Sequence, residues 1–299
     1  MKILITGADG QLGRALQNEC STRGIDFIPT DYIVETNNHS HSSSNRFVNL
    51  DITRLEAVRQ FVKNHPCEVI LNCAAYNDVD KAEKEKETAF LVNAFGPRNL
   101  AIVSNELQIP LVHFSTDYVF DGKKGSPYYV WDKPNPLSVY GKSKLYGEEM
   151  VAQFTNRYFL VRLSWVFGDG KMNFVKKVIE WSKNKEELRI VDDQISSPSY
   201  TVELAKAIID LFETGTYGIY HLSNSGNCSR YEWAKSILRH TGWHGNLLPV
   251  KSQSFNSAAE RPVCSILNTF PIRETIGYEL PNWEQSLAEY LRIESFQND

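Results

Sequence analysis

The sequence predicts an α/β fold of the doubly wound type, a parallel sheet with helices on both faces, joined to a smaller C-terminal region that interleaves with it. Three observations carry this expectation. Short apolar runs alternate with longer segments of helical periodicity, the signature of repeated βα units. The first run leads directly into a glycine-rich turn and a helix. Far down the chain, Gly218-Ile219-Tyr220-His221-Leu222 reads as one more strand of the same sheet. With 299 residues, 42% hydrophobic and 12% aromatic, the chain can bury a large core as one big domain or two closely packed ones.

Strands are expected at residues 2–6, 26–30, 68–74, 110–116, 158–164 and 218–223, where apolar runs are short and bounded by turn residues. Between them, residues 53–65 form the clearest helix, with Leu55, Val58, Phe61 and Val62 on one face. Thr53-x-x-Glu56 reads as a capping box at its start and Pro66 as its stop. Residues 35–46 are polar and aperiodic and read as a solvated loop; His39 and His41 within it have no carboxylate or thiol company for a metal. Lys81 to Glu87 alternates charge along a helix with a solvent-washed face. Beyond residue 168 the pattern predicts a helix near 172–184, a strand near 188–192 and a helix near 201–213.

Composition excludes some partners. Lys plus Arg number 32 against 36 Asp plus Glu, so a net charge of −4 gives no basic footprint for nucleic acid. The cysteines, Cys20, Cys67, Cys73, Cys228 and Cys264, form no CxxC pair and suggest neither a disulfide framework nor a zinc site, which fits a reducing cytoplasm. No apolar stretch approaches the length of a signal core or a membrane span, so no membrane association is expected.

The first turn reads Gly7-Ala8-Asp9-Gly10-Gln11-Leu12-Gly13, between Ile3-Leu4-Ile5 and a helix carrying Ala15 and Leu16. Glycines there permit a tight turn and close approach of backbone to a pyrophosphate, and the helix N-terminus offers free N–H groups, as in a Rossmann dinucleotide site. Asp31, after the second strand, is placed to accept the adenosine ribose hydroxyls, which favours NADH; Arg14 offsets part of that charge, so NADPH and NADH both stay open. Asp51-Ile52 closes the third strand, where Asp51 either receives the adenine amino group or caps the next helix. The small residues of Cys73-Ala74-Ala75-Tyr76 leave room for the dinucleotide to cross the sheet edge. The expected division is a dinucleotide-binding region over 1–168, to which 215–228 returns, and a mainly substrate-binding region over 169–299.

Tyr140-Gly141-Lys142-Ser143-Lys144 places a Tyr and a Lys four apart on one helix face, and Ser115-Thr116-Asp117 ends a strand upstream. An ammonium beside a phenol, with the positive charge of an oxidised nicotinamide, lowers a phenol pKa that starts near ~10, so that Tyr140 can exchange a proton near neutrality.

With these residues in view the chain resembles the extended short-chain dehydrogenases, and within them the dTDP-4-dehydrorhamnose reductases. The resemblance spans nearly the whole chain through Val79-Asp80-Lys81-Ala82-Glu83, Ser115 to Phe120, Tyr140 to Lys144, Ser164-Trp165-Val166 and Ala259-Glu260-Arg261-Pro262. It implies a catalytic set of Thr116, Tyr140 and Lys144, with Lys144 also holding the nicotinamide ribose. It further implies substrate contacts from Thr116, Asp117, Tyr118 and Trp165, and Arg261 paired with the substrate diphosphate. Asn173-Phe174 and Asp193-Gln194, the latter followed by Pro198, resemble its substrate-side segments. The implied reaction is NAD(P)H-dependent reduction of dTDP-4-dehydro-β-L-rhamnose to dTDP-β-L-rhamnose, the last step in making that nucleotide sugar.

Two departures stand out. Ala15 occupies the position where some members carry an acidic magnesium ligand at a dimer contact, so magnesium is doubtful and no metal or dimer of that kind is carried over. The polar stretch at 35–46 is longer than the resemblance suggests. A monomer and a homodimer are both compatible. The alternatives are a nucleotide-sugar epimerase or dehydratase that recycles its NAD, and a catalytically idle regulatory nucleotide-binding homologue.

Overall fold

The computed structural model describes residues 1–32 and 47–296; the expected solvated loop at 35–46 lies outside the described residues. The first half runs β1 (Lys2–Thr6), α1 (Gln11–Thr22), β2 (Asp26–Asp31), β3 (Val48–Asn49), α2 (Leu55–Asn64), β4 (Val69–Asn72), α3 (Val79–Ala82), α4 (Lys86–Phe90), a π-turn over Leu91–Phe95, α5 (Gly96–Leu107), β5 (Leu111–Thr116), α6 (Val139–Phe154) and β6 (Tyr158–Leu163). The second half runs β7 (Val166–Phe167), α7 (Phe174–Lys183), β8 (Glu187–Val191), β9 (Ile195–Ser196), β10 (Ser199–Tyr200), α8 (Thr201–Glu213), β11 (Gly218–Leu222), β12 (Cys228–Ser229), α9 (Arg230–His240), β13 (Asn246–Val250), α10 (Ile272–Ile276) and α11 (Trp283–Phe296).

A seven-stranded parallel sheet in the order β3-β2-β1-β4-β5-β6-β11 forms the centre. β1 shows why its strands read as continuous apolar runs. Ile3 and Ile5 face a core shared with α1 and α8, whereas Leu4 faces a second core shared with α2 and α5. Strand side chains alternate between faces, and both faces here are covered by helices. The order reverses between β1 and β4, which opens a crevice at the carboxyl ends of the strands, where ligands bind in such sheets. The rest of the C-terminal half has its own core around Phe167, Val178, Leu188, Trp233 and Leu287. β11 nevertheless pairs with β6 at the edge of the main sheet, as the run at 218–223 suggested.

Some local expectations need correction. The strand expected over 68–74 ends at Asn72, which frees Cys73 to Tyr76 as a wall of the crevice. No capping box opens α2: its N-cap is Arg54, without a side-chain cap, and the Thr53 hydroxyl donates instead to Asp51 Oδ1 at 2.6 Å. The charged run Lys81 to Glu87 is no single solvent-washed helix, because the chain breaks between α3 and α4. There Glu83 Oε1 accepts the Val139 N–H at 2.8 Å, and Glu85 accepts the Tyr76 hydroxyl, so two of its acids work inside the fold. Among the described residues no helix is long and apolar enough to cross a membrane.

Candidate active site

The turn between β1 and α1 forms a cradle. Gly7 has φ +62°, and a Cβ on it would lie 2.5 Å from the Ala74 backbone nitrogen, so the chain passes where only glycine fits. No side chain caps α1, leaving its first N–H groups to a ligand. Asp31 closes one end: its carboxylate accepts the Asp9 N–H at 2.9 Å and the Tyr32 N–H at 2.8 Å. The Asp9 side chain is drawn to Arg14 at 2.6 Å and to Lys171 at 3.5 Å. Asp51 Oδ1 takes the Thr53 N–H and hydroxyl, a local turn cap, and the Ile52 carbonyl accepts Asn99 Nδ2.

Sequence reasoning missed Asn93. Its side chain accepts the Tyr76 N–H at 2.8 Å and donates to the Tyr76 carbonyl and to Ser143 Oγ, both at 3.0 Å. It thereby clamps the Ala74-Ala75-Tyr76 wall to α6. The available signal was Pro97, which has no N–H for the carbonyl four residues back and so loosens the helix into the π-turn at Leu91–Phe95.

A cavity of about 290 Å³ gathers Gly10 to Gly13, Thr116, Tyr140, Lys144 and Trp165. Thr116 comes from the end of β5, Tyr140 and Lys144 from one face of α6. Ser138 caps α6 by accepting the Gly141 N–H, and a Cβ on Gly141 would lie 2.3 Å from the Tyr118 carbonyl oxygen. That close approach sets the Tyr140 ring edge-on to Tyr118, with centroids 5.9 Å apart. Lys144 Nζ donates to the Phe114 carbonyl at 2.5 Å, and burial pushes its pKa down to about 8. Burial raises the Tyr140 phenol well above its ordinary range, while a hydrogen bond with Thr116 works the other way. The lowering expected from Lys144 does not arise in the protein alone, where its ammonium donates to the Phe114 carbonyl; desolvation prevails and keeps Tyr140 protonated. Asp117 is buried: it accepts from Thr116 at 3.1 Å, and its other oxygen from Ser196 at 3.2 Å and Ser265 at 2.5 Å. Desolvation still pushes its carboxyl up to about 6.

A second cavity, about 720 Å³, is lined by Asn173, Phe174, Lys177, Gln194, Arg230 and Arg261, among others. Arg261 is bidentate to Asp80, at 2.5 and 3.2 Å. Asn173 is committed within the protein: its amide donates to Gln11 Oε1 and the Gly168 carbonyl, both at 2.9 Å, and its oxygen caps α7. It ties the glycine turn to the C-terminal half. Trp165 adopts φ +41°, a strained conformation for a bulky residue, and stacks on Trp233. Arg230 lies flat over Trp165 at 3.6 Å. The sequence hid Arg230, because Ser229 and Glu232 form a reciprocal capping box and the stretch reads as a helix start.

A glycine cradle at a sheet switch point, with Tyr, Lys and Thr converging beside it, defines a site of the short-chain dehydrogenase/reductase class. Residues 1–295 match the model of the RmlD substrate binding domain family. The chain is 37% identical over 294 residues to the spore coat polysaccharide biosynthesis protein SpsK of Bacillus subtilis, covering 98% of each. It is 33% identical to a dTDP-4-dehydrorhamnose reductase of Sinorhizobium fredii, covering 96% of this chain and 95% of that one. A crystal structure of dTDP-4-dehydrorhamnose reductase from Bacillus anthracis in complex with NADP superposes with a TM-score of 0.90 at 39% identity, covering 98% of this chain and 99% of that one. The chain belongs to the dTDP-4-dehydrorhamnose reductase family.

Proposed function

We propose that this protein is an NAD(P)H-dependent reductase that converts dTDP-4-dehydro-β-L-rhamnose to dTDP-β-L-rhamnose, the final step in making that nucleotide sugar. The observation that carries the reading is the convergence of Thr116, Tyr140 and Lys144 in one cavity beside the glycine turn. The residues present fit a dinucleotide. The turn admits no Cβ at Gly7, where Ala74 packs close, α1 offers uncapped N–H groups to a pyrophosphate, and Leu12 and Ala75 line the cavity; with Ala74 and Tyr76 they are the proposed border of the dinucleotide. Asp31 disfavours a 2′-phosphate through its charge, and the Bacillus anthracis relative holds NADP, so NADPH and NADH are both candidates.

When bound, the reduced nicotinamide supplies hydride. The protein's own residues handle the proton and the developing charge. Tyr140 delivers its phenolic proton to the oxygen of the substrate's 4-keto group, and Thr116 hydrogen-bonds the same oxygen as negative charge grows there. Lys144 stabilises the tyrosinate left behind and would hold the nicotinamide ribose when the dinucleotide is bound. Asp117, Tyr118, Trp165, Asn173 and Gln194 shape the substrate's side of the site, and Arg261, held by Asp80, faces the larger cavity.

A coupled assay from dTDP-glucose and the upstream enzymes, run with NADPH and with NADH, tests the reading. Stoichiometric loss of reduced dinucleotide with formation of dTDP-rhamnose is expected. An epimerase or dehydratase recycles bound NAD and consumes none, and an idle homologue yields no product; either result refutes the proposal.

A further inference from the structure

We infer that Arg230 is the residue that receives the diphosphate of the nucleotide sugar, held ready beside the larger cavity by its stack on Trp165. The inference rests on the nucleotide-sugar reading above and assigns a charge that the family resemblance left to Arg261 alone. In the larger cavity Arg189 is paired with Glu187 at 3.0 Å, and Arg261 with Asp80 at 2.5 Å. Lys177 and Lys185 stand exposed at the rim. Arg230 is recessed and lies in the field of Asp117 and of the Tyr118 phenol, and among the described residues no carboxylate forms an ion pair with it. A recessed guanidinium whose charge no carboxylate neutralises is costly unless an anion arrives.

The surroundings fix its orientation. The guanidinium lies 3.6 Å above the Trp165 ring, 4.9 Å from the centroid of Phe174 and 5.4 Å from that of Trp233. A guanidinium stacked on a ring keeps its N–H groups at the edge of its plane, the arrangement suited to bidentate phosphate contact. Tyr118 lies in the field of both Arg230 and Arg261, so an anion drawn to one is met beside the other. The ring of Tyr118 also abuts Tyr140, which links anchoring of the diphosphate to the position of the proton donor. The strained backbone of Trp165 is thus retained where its ring lines the smaller cavity and supports Arg230 in the larger.

Calorimetric titration of the full-length protein with dTDP and with thymidine separates the charge from the base. Arg230→Met is expected to weaken dTDP about 10- to 100-fold, the loss of one or two charge-assisted hydrogen bonds, while leaving thymidine and NADPH binding within twofold. Arg230→Lys, which restores charge without the flat stack, recovers part of the dTDP affinity and serves if the Met variant folds poorly. The KM for the keto-sugar rises by a similar factor, with a smaller change in kcat. Unchanged dTDP affinity, or an equal fall for dTDP and thymidine, overturns the assignment and leaves Arg230 a packing residue. Failure of the reductase reading is distinguishable, because the wild type would then consume no NAD(P)H with the keto-sugar whatever the titrations give.

Discussion

The two cavities lie on either side of the stack of Arg230 on Trp165, Trp165 lining the smaller and Arg230 the larger, and are built on opposite principles. In the smaller one each reacting group is fixed by regular structure: Thr116 by the end of β5, Tyr140 and Lys144 by one face of α6, the glycine turn by β1 and α1. In the larger one, cations from distant parts of the chain are held by side chains, Arg261 by Asp80 and Arg230 by aromatic rings. Chemistry needs atoms placed to fractions of an ångström, which rigid elements supply, whereas anchoring an anion tolerates a looser scaffold. Variants on the two sides are therefore expected to separate turnover from affinity.

The largest effect belongs to the rigid side. Tyr140→Phe removes the proposed proton donor and little volume, so kcat is expected to fall by about 10²–10⁴-fold, the usual worth of a general acid. Dinucleotide affinity is expected to hold, since the backbone cradle is untouched. Steady-state kinetics with a parallel binding titration checks both, and a turnover near wild type sinks the mechanism.

Next comes the support beneath α6. Glu148 on α6 and Arg162 on β6 form a bidentate pair at 2.7 and 2.9 Å, both residues almost wholly buried, and His221 Nε2 accepts from Arg162 at 3.3 Å. Glu148→Gln leaves the guanidinium charge unpaired in the interior and is expected to cost about 3–5 kcal/mol of stability. The double variant Glu148→Met with Arg162→Leu removes both charges and is expected to lose less. Urea unfolding measures the difference; equal losses would mean that packing, not charge, is what the pair supplies.

The cofactor half was the more legible because local rules wrote it. A glycine turn between a strand and a helix, and a Tyr and Lys four apart, are short-range patterns with one geometric outcome each. Asn93 and Arg230 escaped notice because their roles depend on partners far away in sequence, Ser143 for one and Trp165 for the other. Asp117 was legible as a member of a strand-end motif but not as a buried carboxylate served by Ser196 and Ser265, since those hydroxyls come from the C-terminal half. Thr53 misled because Asp51 competes for its hydroxyl two residues away, a local turn that outbids a helix cap.

Lys144 gives the rigid side a pH signature. In the proposed mechanism its protonated form stabilises the tyrosinate, and its pKa is pushed down to about 8 by burial, so the active form predominates below that value and is lost as pH rises through it. A kcat profile is expected to be level near neutrality and to fall about tenfold per pH unit well above 8. A profile still level at pH 9.5 would show that the ammonium is held charged by something the protein alone does not provide.

The smallest effect tests the adaptable side. Asp80 is nearly half exposed, and water screens its pairing with Arg261, so the ion pair itself contributes less than about 1 kcal/mol to stability. Its carboxylate also accepts the Ala259 N–H at 3.0 Å, which fixes the segment carrying Arg261. Asp80→Asn keeps a side-chain oxygen for that N–H but loses the bidentate grip, and Arg261 gains freedom that substrate binding must then remove. KM for the keto-sugar is expected to rise about two- to fivefold, with kcat unchanged and the melting temperature lowered slightly. Were KM unaffected while stability fell, Arg261 would belong to the fold, and Arg230 would hold the diphosphate without its help.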